Sequence, residues 1–239
     1  MRAGIVARVT RPTTFVLIHG AWHGAWCWHR LGPLLTASGA RVIAPDLPSQ
    51  DADLDSWALF VADIVRSAPG CVLVGHSRGG AVISRVAELV PDDIRTLVYL
   101  SAYLLPAGQS VAEEARRDAG SLIAPNMVPV KRGLTCTLRT EVIREALYGE
   151  CSDEDFEYAR ARLTPEPLRV LAAPVRVTDE NFGRLPRAYI ETLRDRAVTL
   201  EAQRRMQAAL PCVPVFRLDT DHSSFLSQPE ALARILISI

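Results

Sequence analysis

The segment Cys71-Val72-Leu73-Val74-Gly75-His76-Ser77-Arg78-Gly79-Gly80-Ala81 runs from an apolar, β-branched stretch through a glycine-bracketed serine into a run of small residues. This order predicts a buried strand, a sharp turn and a helix, with the Ser77 hydroxyl lifted above the end of a sheet. Gly75 and Gly79 let the backbone turn and let the helix approach the strand without a Cβ clash.

Three similar runs lie around it. Phe15-Val16-Leu17-Ile18 ends in His19-Gly20, Arg41-Val42-Ile43-Ala44 ends in Pro45-Asp46, and Thr96-Leu97-Val98-Tyr99-Leu100 ends in Ser101. None alternates polar with apolar, which is the mark of parallel strands covered on both faces. Amphipathic stretches over roughly Trp26 to Ser38, Leu54 to Ser67 and Gly79 to Leu89 predict the crossover helices. The rhythm stops after Tyr103. Residues 104–185 carry helical patterns, at Glu141 to Tyr148 and Asp153 to Leu163, and no convincing strand. Strands resume at Arg187 to Thr192 and Val213 to Phe216, with helices at Thr199 to Ala209 and from Gln228 to Ile237, the last started by Pro229. The expectation is one α/β domain over 1–239. A mostly parallel sheet flanked by helices would span 1–103 and 186–239, with a helical cap, 104–185, inserted over the carboxyl ends of its strands, where ligands of such sheets bind.

Composition narrows the partners. With 27 basic and 27 acidic side chains the net charge is zero, so no broad field draws nucleic acid or an anionic membrane surface. Lys131 is the only lysine, a bias expected of GC-rich bacterial coding DNA. No apolar run reaches the ~20 residues of a membrane span, and the N-terminus lacks a signal-peptide core. Cys27, Cys71, Cys136, Cys151 and Cys212 are dispersed and odd in number, so free thiols and a cytoplasmic location are expected. No metal-ligand cluster or dinucleotide fingerprint is present, so the expected partner is a small molecule without metal or cofactor. The sequence leaves the oligomeric state open, a homodimer included.

A serine hydroxyl needs a base to become a nucleophile. Of His19, His23, His29, His76 and His222, the last lies between the final strand and the final helix, on a loop that opens at the same sheet edge as Ser77. His19 belongs to the glycine turn after the first strand, and His76 adjoins the serine and would point elsewhere. Asp195 follows the strand ending at Thr192 and precedes His222, giving the order serine, acid, histidine. Asp219 and Asp221 share the histidine's loop and would struggle to reach its far nitrogen; Asp46 reads as a turn or helix-cap residue. Backbone N–H groups that stabilise an oxyanion would come from Arg78, directly after the serine, and from Ala21 in the loop His19-Gly20-Ala21-Trp22. The Arg78 guanidinium is expected over the helix start, in solvent, with a place in the pocket wall as the alternative.

At these residues the chain resembles the α/β-hydrolases of the plant methylesterase and hydroxynitrile lyase group, which includes salicylate-binding methyl salicylate esterase. The likeness runs from Phe15 to the end, through FVLIHGAWHGAWCWHRL (15–31), APDLP (44–48), GHSRGG (75–80), VYLSAYLLPAG (98–108), YGECSDED (148–155), LTPEP (163–167) and DHSSFLSQPEAL (221–232). It implies an α/β-hydrolase fold, a triad on Ser77, Asp195 and His222, oxyanion amides from Ala21 and Arg78, and hydrolysis of a carboxylic ester. Residues before Phe15 lie outside the match and would form an edge strand. The group's lyases carry a threonine in the loop after the first strand and a lysine directly after the triad histidine. Ala21 or its neighbour and Ser223 stand there, so a departing cyanide would lack its cation. Arg78 departs from the plant esterases, which tend to be apolar at that position.

The leading expectation is a serine carboxylesterase for small to medium apolar or aromatic esters. Lyase chemistry on the same triad, and a ligand-binding receptor with a residual triad, are the alternatives. Leu104, Leu105, Ile123, Met127, Phe156, Tyr158 and Phe182 would wall the pocket or form the core of the cap.

Overall fold

The computed structural model describes residues 12–48 and 53–239. The edge strand expected ahead of Phe15 falls on residues that are, but for the last few, outside this range. Six parallel strands form the main sheet: β1 (Thr14–Ile18), β2 (Arg41–Ile43), β3 (Cys71–His76), β4 (Ile94–Leu100), β8 (Arg187–Thr192) and β9 (Val215–Leu218), in the order β2-β1-β3-β4-β8-β9. Every residue of β3 and the last four of β1 are buried, which is why these strands read as unbroken apolar runs.

Helices cover both faces: α1 (Leu31–Ala37), α2 (Leu54–Arg66), α3 (Gly79–Leu89), α8 (Leu200–Ala209), α9 (Ser224–Ser227) and α10 (Pro229–Ser238). Helix α2 buries Leu54, Trp57, Ala58, Val61, Ala62 and Val65, a stripe at three- and four-residue spacing. Its first turn is closed by a capping box, in which Asp53 accepts from the Ser56 N–H at 2.8 Å and Ser56 Oγ accepts from the Asp53 N–H at 2.9 Å. The helix expected over 26–38 is two pieces, a 3₁₀ turn at Ala25–Trp28 and then α1. Asp46 caps the 3₁₀ turn from a distance, accepting from the Ala25 N–H at 2.6 Å. The last strand begins two residues later than expected, after an exposed Val213.

From β1 the chain crosses outward to β2 and then returns to β3 on the other side of β1. The loops leaving β1 and β3 therefore diverge and open a crevice at the carboxyl ends of the strands, the usual ligand site of such a sheet. Residues 19–22 and 75–78 border it.

Between β4 and β8 lie α4 (Val111–Arg117), α5 (Thr140–Leu147), α6 (Asp153–Arg160) and α7 (Leu168–Ala172). Contrary to the all-helical expectation, this insertion also holds an antiparallel sheet of β5 (Met127–Val130), β6 (Thr135–Leu138) and β7 (Glu166–Pro167), in the order β5-β6-β7. The strands have four, four and two residues, and Pro129 interrupts the first, so none leaves a periodic signal in the sequence.

Candidate active site

Ser77 sits where β3 gives way to α3, with φ at +53°, in the left-handed region that an L-residue avoids unless its surroundings impose it. The turn is imposed from both sides. Ser77 N–H donates to the Leu100 carbonyl at 3.2 Å, and its own carbonyl accepts from the Tyr103 N–H at 3.0 Å, so both ends of the residue are tied to the end of β4. A Cβ on Gly79 would stand 2.7 Å from the Ile18 carbonyl oxygen, and one on Gly75 would stand 2.7 Å from that of Gly79. The strand, the turn and the helix are thus packed too closely for any side chain at those two positions.

The structure brings His222 and Asp195 together from different loops. His222 Nδ1 donates to Asp195 Oδ2 at 2.8 Å, both groups being buried. With Nδ1 carrying the hydrogen, Nε2 keeps a lone pair. The carboxylate is held by three more donors: Thr192 Oγ1 on the same oxygen at 2.8 Å, and the Ala197 and Val198 N–H groups on Oδ1 at 2.7 and 2.9 Å. Asp221 turns elsewhere, accepting from the Glu150 N–H at 2.9 Å, and burial raises its carboxyl above the usual range. Asp219 lies with Arg194, 3.0 Å away.

Ser77, His222, Ala21 and Arg78 all border one cavity of about 330 Å³. The backbone N–H groups of Ala21 and Arg78 have no acceptor among the described residues, although both residues are buried. Such donors at the mouth of a helix suit a developing oxyanion. Apart from Tyr103 and Arg116 the remaining wall is apolar, with Val111, Ala115, Ile123, Met127, Leu147 and Leu171 prominent. Ile123 and Met127 were expected there; Leu104, Leu105, Phe156, Tyr158 and Phe182 do not line the cavity. No group of three or more residues suited to a metal ion occurs among the described residues.

The Arg78 side chain corrects the sequence reading. It is 1 % exposed, not solvated. Its Nε lies 2.9 Å from Glu166 Oε1 on β7, without the alignment of a hydrogen bond. Nη2 donates to the Gly20 carbonyl at 2.9 Å, and the guanidinium rests 4.5 Å from the centre of the Trp57 ring. The partner stands 88 residues further along the chain, so no local pattern announces the pair.

Other polar residues missed by sequence reasoning support the site. His76 Nε2 donates to the His222 carbonyl at 3.0 Å, and the two rings lie 4.4 Å apart. Burial, and then the neighbouring His222, hold His76 well below the usual histidine range, so it stays neutral. His23 Nδ1 donates to the Ala21 carbonyl at 2.7 Å, while its Nε2 accepts from Tyr148 Oη at 2.7 Å. Burial brings His23 down to about 3. Their clustering in HGAWHGAW and GHS was the only available signal.

Known proteins resemble this chain in sequence and fold. A putative chloroplastic methylesterase of Arabidopsis thaliana is 31% identical over 94% of the chain, which spans 63% of that protein's length. The pyrethroid hydrolase of Sphingobium wenxiniae is 33% identical, with 94% of this chain and 86% of that protein aligned. The crystal structure of a pyrethroid hydrolase from Sphingobium faniae superposes with a TM-score of 0.81 at 29% identity, covering 95% of this chain and 97% of that one. The relatives are thus carboxylesterase-type hydrolases, and the six-stranded parallel sheet with its flanking helices is the α/β-hydrolase fold. Residues 15–235 match the model of the alpha/beta hydrolase family, and the chain belongs to that family.

Proposed function

We propose that this protein hydrolyses carboxylic esters through an acyl-serine intermediate, with residues 104–185 as a cap over the reacting groups. The observation that carries the proposal is the 2.8 Å bond from His222 Nδ1 to Asp195, with His222 and Ser77 bordering one cavity. Ser77 Oγ attacks the ester carbonyl as His222 Nε2 takes its proton. Asp195 fixes the imidazole tautomer and stabilises the imidazolium. The Ala21 and Arg78 N–H groups receive the charge that develops on the carbonyl oxygen, a role typically worth about 10²–10³ in rate per donor. His222 then returns the proton to the departing alcohol, and water, activated by the same nitrogen, releases the acid.

A cavity of about 330 Å³ with an apolar wall favours small to medium apolar or aromatic esters. The methylesterase and pyrethroid hydrolase relatives support the same class. Five buried, free cysteines favour a reducing, cytoplasmic setting, and among the described residues no helix is long and apolar enough to cross a membrane.

A panel of methyl, ethyl and aryl esters, with p-nitrophenyl acetate as the first, tests the reading. The native protein is expected to release nitrophenol, and Ser77→Ala to abolish release with an unchanged circular dichroism spectrum. Equal turnover by the two proteins would mean that Ser77 is not the nucleophile.

A further inference from the structure

The two peptide groups flanking Ala21 are each held by side chains at the oxygen. The Gly20 carbonyl accepts from Arg78 Nη2 and from His19 Nδ1, both at 2.9 Å. The Ala21 carbonyl accepts from His23 at 2.7 Å, and the N–H of the same peptide, on Trp22, donates to Glu166 Oε2 at 3.2 Å. A trans peptide is planar, with its C=O and N–H directed oppositely. Whatever fixes the Gly20 oxygen therefore aims the Ala21 N–H.

The loop needs such fixing. Trp22 has φ at +62°, an unfavourable backbone for a bulky residue. Its carbonyl accepts from the Thr164 N–H at 2.9 Å and its indole Nε1 donates to the Cys136 carbonyl at 3.0 Å, so every polar atom of Trp22 is engaged by the insertion. His19 belongs to the same loop and is tied in turn to the Leu47 N–H at 3.3 Å, on the segment after β2. Arg78 refers the loop to the serine turn, and through Glu166 to β7.

Building on the ester-hydrolase reading, we infer that the buried Arg78–Glu166 pair is a positioning device for the oxyanion site. Arg78 holds the Gly20 carbonyl back so that the Ala21 N–H faces the substrate oxygen, and Glu166 fixes both Arg78 and Trp22. A buried ion pair contributes little net stability compared with apolar residues of similar volume, which makes a geometric role the better account of it. The pair also links the insertion that encloses the substrate to the donors that act on it.

Two variants test this, Arg78→Met and the double replacement Arg78→Met/Glu166→Leu. The single change strands a buried carboxylate and can unfold the chain; the double one removes both charges and keeps the interior filled. On p-nitrophenyl butyrate, the double variant is expected to lose roughly 10- to 100-fold in kcat with KM within about twofold. Its inhibition constant for an alkyl trifluoromethyl ketone, whose hemiketal oxygen occupies the oxyanion position, should rise by the same factor. A merely structural role would lower the melting temperature and the active fraction but leave kcat per active site and this inhibition unchanged. Crystal structures of the native and double-variant proteins give a readout independent of turnover: a rotated Gly20–Ala21 peptide in the variant is expected. A folded double variant with native kcat, or an unrotated peptide, overturns the inference. Absence of ester turnover in the native protein would overturn the functional reading instead, and the peptide orientation would still decide the fate of the anchor.

Discussion

Asp195 shows how a single carboxylate can set a tautomer. Two backbone N–H groups occupy Oδ1, while Thr192 and His222 donate to Oδ2. In Asp195→Asn the amide oxygen would stay with the two backbone donors, because an NH₂ there would face N–H groups. The NH₂ would then point at His222 and donate to Nδ1, moving the imidazole hydrogen to Nε2, where the serine proton has to arrive. The variant should fold, keep its KM, and lose about 10³–10⁴ in kcat, as a misdirected tautomer does in other triads. Steady-state kinetics of p-nitrophenyl ester release measure it; a loss below tenfold would show that another group orients the base. Asp195 was legible in the sequence as the partner of His222 because it closely follows a strand and precedes that histidine. The Glu166 partner of Arg78 was not, since a carboxylate 88 residues away becomes a neighbour only through the fold.

Helix α3 is set by how closely it can approach the sheet. Eight of its eleven residues are buried, and it begins against β1, where Gly79 leaves no room for a methyl group beside the Ile18 carbonyl. Gly79→Ala should push the start of the helix away from β1, cost about 1–3 kcal/mol through overpacking, and displace the Arg78 N–H. Urea titration would report the first effect and kcat the second. Native stability and kcat together would mean that the helix is not set by this contact. The contrast with the insertion shows what makes an element readable. Strands β1, β3 and β4 are buried runs, and α2 carries its apolar stripe and cap, so their periods survive in the sequence. Strands β5 to β7 are at most four residues long, and Pro129 and Pro167 sit inside them. Their pairing comes from tertiary contact, which no local pattern encodes.

The whole molecule is expected to be acid-sensitive in a way that follows from its histidines. His19, His23 and His76 are buried, and each donates from one nitrogen to a backbone carbonyl of the site: those of Gly20, Ala21 and His222. The other nitrogen must stay bare. In His19 it accepts from the Leu47 N–H, in His23 from Tyr148, and in His76 it is enclosed without a donor. A second proton would face the Leu47 N–H in His19, reverse the Tyr148 hydroxyl bond in His23, and lie buried without an acceptor in His76. Burial accordingly lowers His19 and His23 from 6.5 to about 3, and takes His76 well below 6.5. The unfolded chain binds these three protons near pH 6.5 while the folded chain does not. Stability is therefore complete above that pH and falls as pH drops toward the folded values, by about 1.4 kcal/mol per unit for each histidine. Three together give about 4 kcal/mol per unit, enough to remove a stability of about 5–15 kcal/mol within a few units. Glu166 and Asp221 oppose this, since burial raises both and the folded state keeps their protons above the unfolded carboxyl value near 4, which subtracts from the slope set by the histidines. Urea midpoints measured from pH 8 to 5 should be level above 7 and fall below 6, with a net uptake of protons on unfolding that approaches three when the two carboxyls are replaced by Gln and Asn. A level profile down to pH 5 would mean that the histidines accept protons in the folded state, and that the loops they hold tolerate it.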